Sequence, residues 1–125
     1  MSATSQALRG YATNAASTRS DRRAEYEIIA RVTQELRDRA VKQKSDFPAF
    51  VEALHNNQRL WTALVVDVAD IKNPLPKELK ARIVYLAEFT ANHSRQVLKK
   101  KASVMPLLEI NMAVLRGLKK EGPVT

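Results

Sequence analysis

The sequence predicts an all-α fold, a small helical bundle of four main helices plus a weak N-terminal helix, and three observations support it. Only three of the 125 residues are glycine, and residues that favour helices dominate the chain. Apolar residues recur at helical spacing along most of its length. The breaks "KSDFP", "KNPLP" and "KKKAS" divide the chain into segments of helical length. A chain of this length is expected to form one domain.

The N-terminal segment carries the weakest helical pattern of the chain. Thr and Asn residues dilute its apolar positions, which are Leu8, Tyr11, Ala12 and Ala15. We therefore expect residues 1–19 to be weakly held, and to dock only on a partner or on a neighbouring copy. Ser20 is predicted to cap the next helix, whose apolar stripe consists of Ile28, Ile29, Val32, Leu36 and Ala40.

Three further helices follow. The first is predicted over residues 47–70, with Asp46 or Phe47 as its cap and Pro48 in its first turn. Its stripe consists of Phe47, Phe50, Val51, Leu54, Trp61, Leu64, Val65 and Val68. Pro76 is predicted to start the second, whose inward residues are Leu79, Ile83, Leu86, Ala87, Thr90, Val97 and Leu98. Pro106 starts a last short helix, and residues 119–125 are expected to form a frayed tail.

The composition argues against several classes of protein. The chain has no cysteine, which removes disulfides, thiolate nucleophiles and cysteine metal sites. No apolar run approaches the ~18 residues that cross a bilayer, and residues 1–20 contain no apolar signal core. We therefore expect a cytoplasmic protein that does not associate with a membrane.

The sequence offers no convincing catalytic, cofactor-binding or metal-binding site. His55 and His93 are predicted in different helices, and a metal site would need a further ligand near them. Gly10, Gly117 and Gly122 are isolated, so no phosphate-binding loop is indicated, and no nucleophile elbow surrounds a serine. We expect a protein that is not an enzyme and that holds no cofactor or metal.

Positive charge is a pronounced feature, with 21 basic and 13 acidic residues and a net charge of +8. This excess suits nucleic acid, an acidic protein or a membrane surface. The runs "RSDRR" at 19–23 and "LKKK" at 98–101 could contact phosphates, although solvated helix ends explain them more simply. One Trp, three Tyr and three Phe give little support for base stacking. Direct nucleic-acid binding is therefore not expected.

An amide patch interrupts the apolar stripe around the single tryptophan. Heptad counting places Asn57 on the seam shared with Trp61, and Gln58 and Arg59 lie beside it. A buried amide must find hydrogen-bond partners or costs ~1–3 kcal/mol. Three interpretations stay open: a core amide that sets helix register, a helix end, or a groove for a partner chain. Asn111 repeats the pattern in the last helix, so the candidate partner-binding residues are Asn57, Gln58, Arg59, Trp61 and Asn111.

An ordered set of motifs resembles one known family. The motifs are "RAEY" at 23–26, "RLW" at 59–61, "NPLP" at 73–76, "LKARI" at 79–83 and "LLEIN" at 107–111. This set resembles the FlaF family of flagellar biosynthesis regulators, from about residue 7 to residue 118. The resemblance implies a small cytoplasmic helical protein that binds flagellin as an export chaperone or assembly factor, in concert with the translational regulator FlbT. The alternative is an RNA-binding post-transcriptional regulator of flagellin message.

Overall fold

A computed structural model of the chain describes residues 18–121. This range contains four α-helices, which are α1 (Thr18–Val41), α2 (Phe47–Ala69), α3 (Lys77–Leu98) and α4 (Met105–Glu121), and it contains no strand. The all-α prediction is confirmed. The predicted N-terminal helix and the last four residues of the predicted tail lie outside the described residues.

Helix α1 begins earlier than predicted, whereas α2 begins where expected. Ser20 lies within α1 rather than in front of it, so the prediction that Ser20 caps this helix is wrong. A serine cap is worth only about 1 kcal/mol and serine is tolerated inside helices, so the helix continues through it. At the start of α2, the Asp46 side chain accepts a hydrogen bond from the backbone N–H of Ala49 at 3.2 Å, and Pro48 lies in the first turn.

Asn73 organises the turn between α2 and α3. Its Nδ2 donates to the backbone oxygen and to Oδ2 of Asp67, both at 3.2 Å. Its Oδ1 accepts from the backbone N–H of Leu75 at 2.9 Å. Pro76 stands immediately before Lys77, the first residue of α3. The "NPLP" motif is therefore a turn that ties the last turns of α2 to the start of α3.

Lys100 ends α3 in a left-handed conformation, with a φ of 61°. The backbone N–H groups of Lys100 and Lys101 donate to the carbonyl oxygens of Val97 and Gln96, each at 2.9 Å, which is the pattern of a Schellman motif. The Nζ of Lys100 also lies 5.1 Å from the centre of the Phe47 ring. The end of α3 is therefore held against the start of α2.

The helices form a bundle in which consecutive helices run antiparallel because their connections are short. The pairs α1–α2, α2–α3 and α1–α4 approach closely along much of their lengths. By contrast, α3 and α4 approach each other over a short stretch only. Helices α2 and α4 lie across the bundle from each other and meet through their side chains.

The apolar core is concentrated at one end of the bundle, here called the closed end, which holds residues 42–46 and 99–104. One buried cluster lies there and consists of Leu36, Phe50, Ala53, Leu54, Val97, Val104, Leu107 and Leu108. The opposite end, called the open end, holds the start of α1, the α2–α3 turn and the end of α4. Leu79 and Leu98 were predicted to face inward, but they are 39% and 41% exposed. Leu98 is the last residue of α3, and Leu79 lies in its first turn at the open end, where its neighbours leave it uncovered.

Candidate functional site

Side chains from three helices form a hydrogen-bond network in the centre of the bundle. Asn111 on α4 accepts a hydrogen bond from Nε1 of Trp61 through its Oδ1, at 3.0 Å. Its Nδ2 donates to Oδ1 of Asn57 at 2.7 Å and to Oγ1 of Thr33 at 3.0 Å. Thr33 in turn donates to the backbone oxygen of Ile29 at 2.7 Å. We call Thr33, Asn57, Trp61 and Asn111 the amide lock.

The amide lock is withdrawn from solvent. Asn57 and Asn111 are 0% exposed, and Trp61 and Thr33 are 1% and 3% exposed. Asn111 uses its carbonyl oxygen and donates twice from its amide nitrogen, so its donors are used in full. Within the described range, Nδ2 of Asn57 finds no hydrogen-bond partner. Leaving any one of these buried groups unpaired costs about 1–3 kcal/mol, so the lock favours a single register of α1, α2 and α4.

The structure brings together three of the five predicted partner-binding residues. Asn57, Trp61 and Asn111 belong to the amide lock, whereas Gln58 is half-buried and Arg59 is exposed. Asn57 lies in the interior of α2, so its interpretation as a helix end is wrong. The interpretation as a core amide describes the observed bonds. Partner contact through the three lock residues stays a prediction, and it requires the bundle to open because their side chains lie inside it.

We infer an apolar groove between α3 and α4, because these adjacent helices make few close approaches and carry partly exposed apolar side chains. Leu86 is half-buried and Phe89 is 37% exposed, and both lie on the flank of α3 that carries His93. Nε2 of His93 lies 2.7 Å from the backbone oxygen of Ser103 in the connection to α4, which indicates that this flank faces α4. We call the following set the α3–α4 groove: Leu79, Leu86, Phe89, Ile110, Val114 and Leu118.

The α4 wall of the groove is the flank that does not face α1. Arg37 on α1 donates from Nη2 to Sδ of Met112 at 3.4 Å, so the flank of α4 with Met112 faces α1. Ile110, Val114 and Gly117 follow one another at helical spacing on the opposite flank. Ile110 and Val114 are half-buried, and a Cβ atom added at Gly117 would meet no heavy atom within 4 Å. This wall is therefore apolar and has open space beside it.

The apolar side chains of α3 and α4 are buried together at the closed end and partly exposed beyond it. Val97 of α3 and Leu107 of α4 belong to the same buried cluster at the closed end. Toward the open end, Leu79 is 39% exposed and Leu118 is half-buried. In the described part of the chain, α3 and α4 make fewer close approaches to each other than the other adjacent helix pairs do. A contiguous and partly exposed apolar row of this kind is typical of a surface that binds another chain.

Sequence reasoning missed the groove. Helical periodicity assigned Leu79 and Leu86 to the buried stripe, because the pattern does not show whether a neighbouring helix covers a given position. The available signal was Phe89, an aromatic residue beside the stripe. Its ring stacks on His93, with ring centroids 5.4 Å apart and an interplanar angle of 14°.

The remaining sequence candidates lie apart from the groove and the amide lock. Lys99, Lys100 and Lys101 are exposed at the end of α3, and Arg23 is exposed on α1. His55 is exposed on α2. Between residues 18 and 121, no group of three or more His, Asp and Glu side chains could hold a metal ion. No helix in the part of the chain that the structure describes is long and apolar enough to cross a membrane.

These features define a class of small all-α bundle that combines a buried polar lock with an exposed apolar groove. The family described as "Flagellar protein FlaF" matches residues 7–118. Because this match covers most of the chain, the chain belongs to the FlaF family, and the resemblance of its motifs is confirmed. Membership of this family indicates a role in flagellum biogenesis. Neither the curated proteins nor the solved structures contain a match to the chain.

Proposed function

We propose that this protein binds flagellin in the cytoplasm as a chaperone or assembly factor, and thereby supports flagellin synthesis and secretion. The observation that carries the proposal is the α3–α4 groove, a row of partly exposed apolar side chains along α3 and α4, the adjacent helices that approach least. Membership of the FlaF family supports the link to flagellum biogenesis. In this proposal the protein acts by binding and performs no catalytic step.

The groove suits an amphipathic helix. Its α3 wall runs from Leu79 to Phe89, about 15 Å at 1.5 Å per residue, which accommodates nearly three turns of a bound helix. Such a helix would place apolar anchors at i, i+3, i+4 and i+7 against the groove. Burying these anchors would shield the apolar terminal helices of flagellin from aggregation before export.

Replacing Phe89 with Asp tests the groove, because a bound helix would bury the new charge. We expect flagellin affinity to fall by at least about tenfold, the effect of losing an interface anchor worth about 1.4 kcal/mol. Val66→Asp is the matched control, since Val66 is an apolar residue of α2 that is 46% exposed outside the groove. This control should retain wild-type affinity. Unchanged binding by a folded Phe89→Asp variant would remove the groove from the proposal.

We also propose that the protein acts together with FlbT on flagellin production. Flagellin co-purification with and without FlbT measures whether flagellin binding is direct. Direct capture predicts that flagellin is retained when FlbT is absent. Retention only in the presence of FlbT would instead make FlbT the flagellin-binding partner.

An RNA-binding post-transcriptional regulator of flagellin message is the second candidate, and the net charge of +8 favours it. Message binding should weaken steeply with salt, by about one counterion for each contacted phosphate, whereas helix capture should change little. Replacing Lys99, Lys100 and Lys101 with Gln provides a second test. We expect flagellin capture to survive this replacement, with negligible RNA retention before and after it. Tight message binding that the triple variant loses would favour the RNA candidate.

A further inference from the structure

We propose that the closed end of the bundle binds the surface of an anionic lipid membrane. The side chains that carry the proposal are exposed and either basic or apolar, and we call the following set the closed-end surface: Val41, Lys42, Lys44, Leu98, Lys99, Lys100, Lys101 and Met105. This binding departs from the expectation of no membrane association, which rested on an apolar run and a signal core. A protein that binds at the lipid surface needs neither.

The fold brings two basic segments together that lie far apart in the sequence. Nζ of Lys100, in the connection between α3 and α4, lies 5.1 Å from the centre of the Phe47 ring at the start of α2. Ala102 packs against the same buried cluster as Ala40 and Phe47, which flank the connection between α1 and α2. The lysines of both connections therefore belong to one surface at the end of the bundle.

This surface is strongly positive. Residues 42–46 and 99–104 contain five lysines and one aspartate, and hence half of the net charge of +8. All five lysines are exposed, and the one aspartate, Asp46, accepts a hydrogen bond from the backbone N–H of Ala49. The connection at the opposite end, residues 70–76, contains one aspartate and one lysine and has no net charge. A lysine near an anionic membrane strengthens binding by about fivefold, so this charge suffices for measurable binding.

Exposed apolar side chains lie among the lysines. Val41, Leu98 and Met105 are 81%, 41% and 54% exposed. Val41 and Leu98 are the last residues of α1 and α3, and Met105 is the first residue of α4, so all three lie at the closed end. Since adjacent helix axes in a bundle are about 8–10 Å apart, these side chains are spread across the end rather than gathered in a pocket.

The combination of charge and apolar exposure favours a lipid surface over the other anionic partners. Nucleic acid would neutralise the lysines through its phosphates but would offer no apolar layer to Val41 and Met105. An acidic peptide would cover one strip of a surface that extends over the ends of three helices. A lipid surface is broad, and it supplies anionic headgroups for the lysines and an apolar layer for the side chains between them.

Docking by the closed end would hold the opposite end of the bundle away from the lipid. Leu79 and Leu118, the groove residues nearest the open end, would stay accessible to another chain. Together with the proposed function, on which this step alone rests, the docking would present the groove at the membrane that secreted flagellin must cross. Lipid binding itself does not depend on flagellin.

Cosedimentation of the full chain with lipid vesicles tests the binding. One set of vesicles consists of phosphatidylcholine, and the other also contains about 30% phosphatidylglycerol as the anionic lipid. We expect the protein to bind the anionic vesicles alone, and to be released in 1 M salt, where the Debye length is about 3 Å. Equal binding to both sets of vesicles, or no binding to the anionic set, would overturn the proposal.

Two variants with equal loss of charge locate the binding surface. The closed-end variant replaces with Gln four of the five lysines, which are Lys42, Lys44, Lys99 and Lys101. It keeps Lys100, because the contact with the Phe47 ring belongs to the fold. The control variant replaces with Gln four exposed basic residues away from the closed end, which are Lys72, Lys77, Arg82 and Arg116.

We expect affinity for the anionic vesicles to fall at least about tenfold in the closed-end variant and to stay within about threefold of wild type in the control variant. Far-UV circular dichroism verifies that both variants are folded. Equal losses in the two variants would overturn the proposal, because they would assign the binding to net charge rather than to the closed-end surface.

A Val41→Ser, Met105→Gln variant tests the apolar contribution. Its affinity for the anionic vesicles should fall by at least about threefold, since these side chains would enter the apolar layer. Polyuridylate and polyglutamate serve as probes for nucleic acid and an acidic protein. Unchanged vesicle affinity in this variant would overturn the proposal, as would wild-type binding to either polymer without binding to the anionic vesicles.

Discussion

The amide lock and the α3–α4 groove reverse the usual placement of polar and apolar side chains. Asn57 and Asn111 are 0% exposed in the centre of the bundle, whereas the apolar Leu79 and Phe89 are 39% and 37% exposed. The lock joins three helices through directional bonds, and the groove lies between the two adjacent helices that approach least. We infer that the two regions have different roles. The buried amides set the register of the helices, and the exposed apolar residues remain available for another chain.

This comparison also separates two kinds of motif residue. Trp61 and Asn111 belong to the motif set that resembles the FlaF family, and both lie in the lock, where Asn111 also bonds to Asn57. Asn73 belongs to the same set, and it bonds to Asp67 across the α2–α3 turn. These motif residues therefore have structural explanations. The binding proposal depends instead on the groove residues, of which Leu79 and Ile110 lie in the quoted motifs and Phe89 lies outside them.

The largest expected effect is that of Trp61→Ala on the amide lock. Trp61 is the largest fully buried side chain in the described range, and its removal should lower the free energy of unfolding by ~3–5 kcal/mol. Chemical denaturation followed by far-UV circular dichroism measures this change. A variant that unfolds like wild type but no longer binds flagellin would assign Trp61 to the binding surface instead.

Asn111→Leu should have the next largest effect, because it leaves Nε1 of Trp61 and Oδ1 of Asn57 without their partner. We expect a loss of about 1–3 kcal/mol in the free energy of unfolding, measured through the fluorescence of the single tryptophan. In the Asn111→Leu background, Asn57→Leu should lower the free energy of unfolding by less than it does in the wild type. The reason is that it then removes an acceptor that is already unpaired. Strictly additive losses would contradict a coupled lock.

Gly117→Ala should raise the stability of the bundle and lower its affinity for flagellin. Gly117 lies inside α4 with open space where a Cβ would be, so alanine should stabilise the fold by about 0.5–1 kcal/mol. The added methyl group would narrow the groove beside Val114, and flagellin affinity should fall. Thermal unfolding and affinity measured on the same samples check both effects. A gain in stability with unchanged affinity would place the bound helix away from Gly117.

The smallest expected effects concern Lys100, outside both regions. Lys100→Ala retains the left-handed backbone and loses the contact with the Phe47 ring, which should cost about 0.5–1 kcal/mol. Lys100→Gly loses the same contact but removes the strain of a non-glycine residue in the left-handed conformation. The Lys100→Gly variant should therefore be more stable than Lys100→Ala by about 1 kcal/mol. Denaturation midpoints of the two variants give this difference. Equal midpoints would show that the left-handed conformation carries no strain.

Much of the helical architecture could be predicted from the sequence because it depends on local signals. Apolar periodicity predicted that Phe50, Leu54 and Trp61 lie on one buried face, and "NPLP" marked the turn after α2. The partners of Asn57 could not be predicted, since Asn111 lies 54 residues away along the chain. The groove could not be predicted either, because periodicity identifies an apolar face without showing which neighbouring helix covers it.

The most direct test of the account compares flagellin affinity for Asn111→Leu and Phe89→Asp at a temperature where both variants remain folded. We predict that Asn111→Leu binds flagellin within about threefold of wild type, because its side chain is buried in the bundle and affects stability rather than the groove. Phe89→Asp should bind at least about tenfold more weakly. The opposite result, with binding lost in folded Asn111→Leu and retained in Phe89→Asp, would show that the amides form the binding site and would contradict the account.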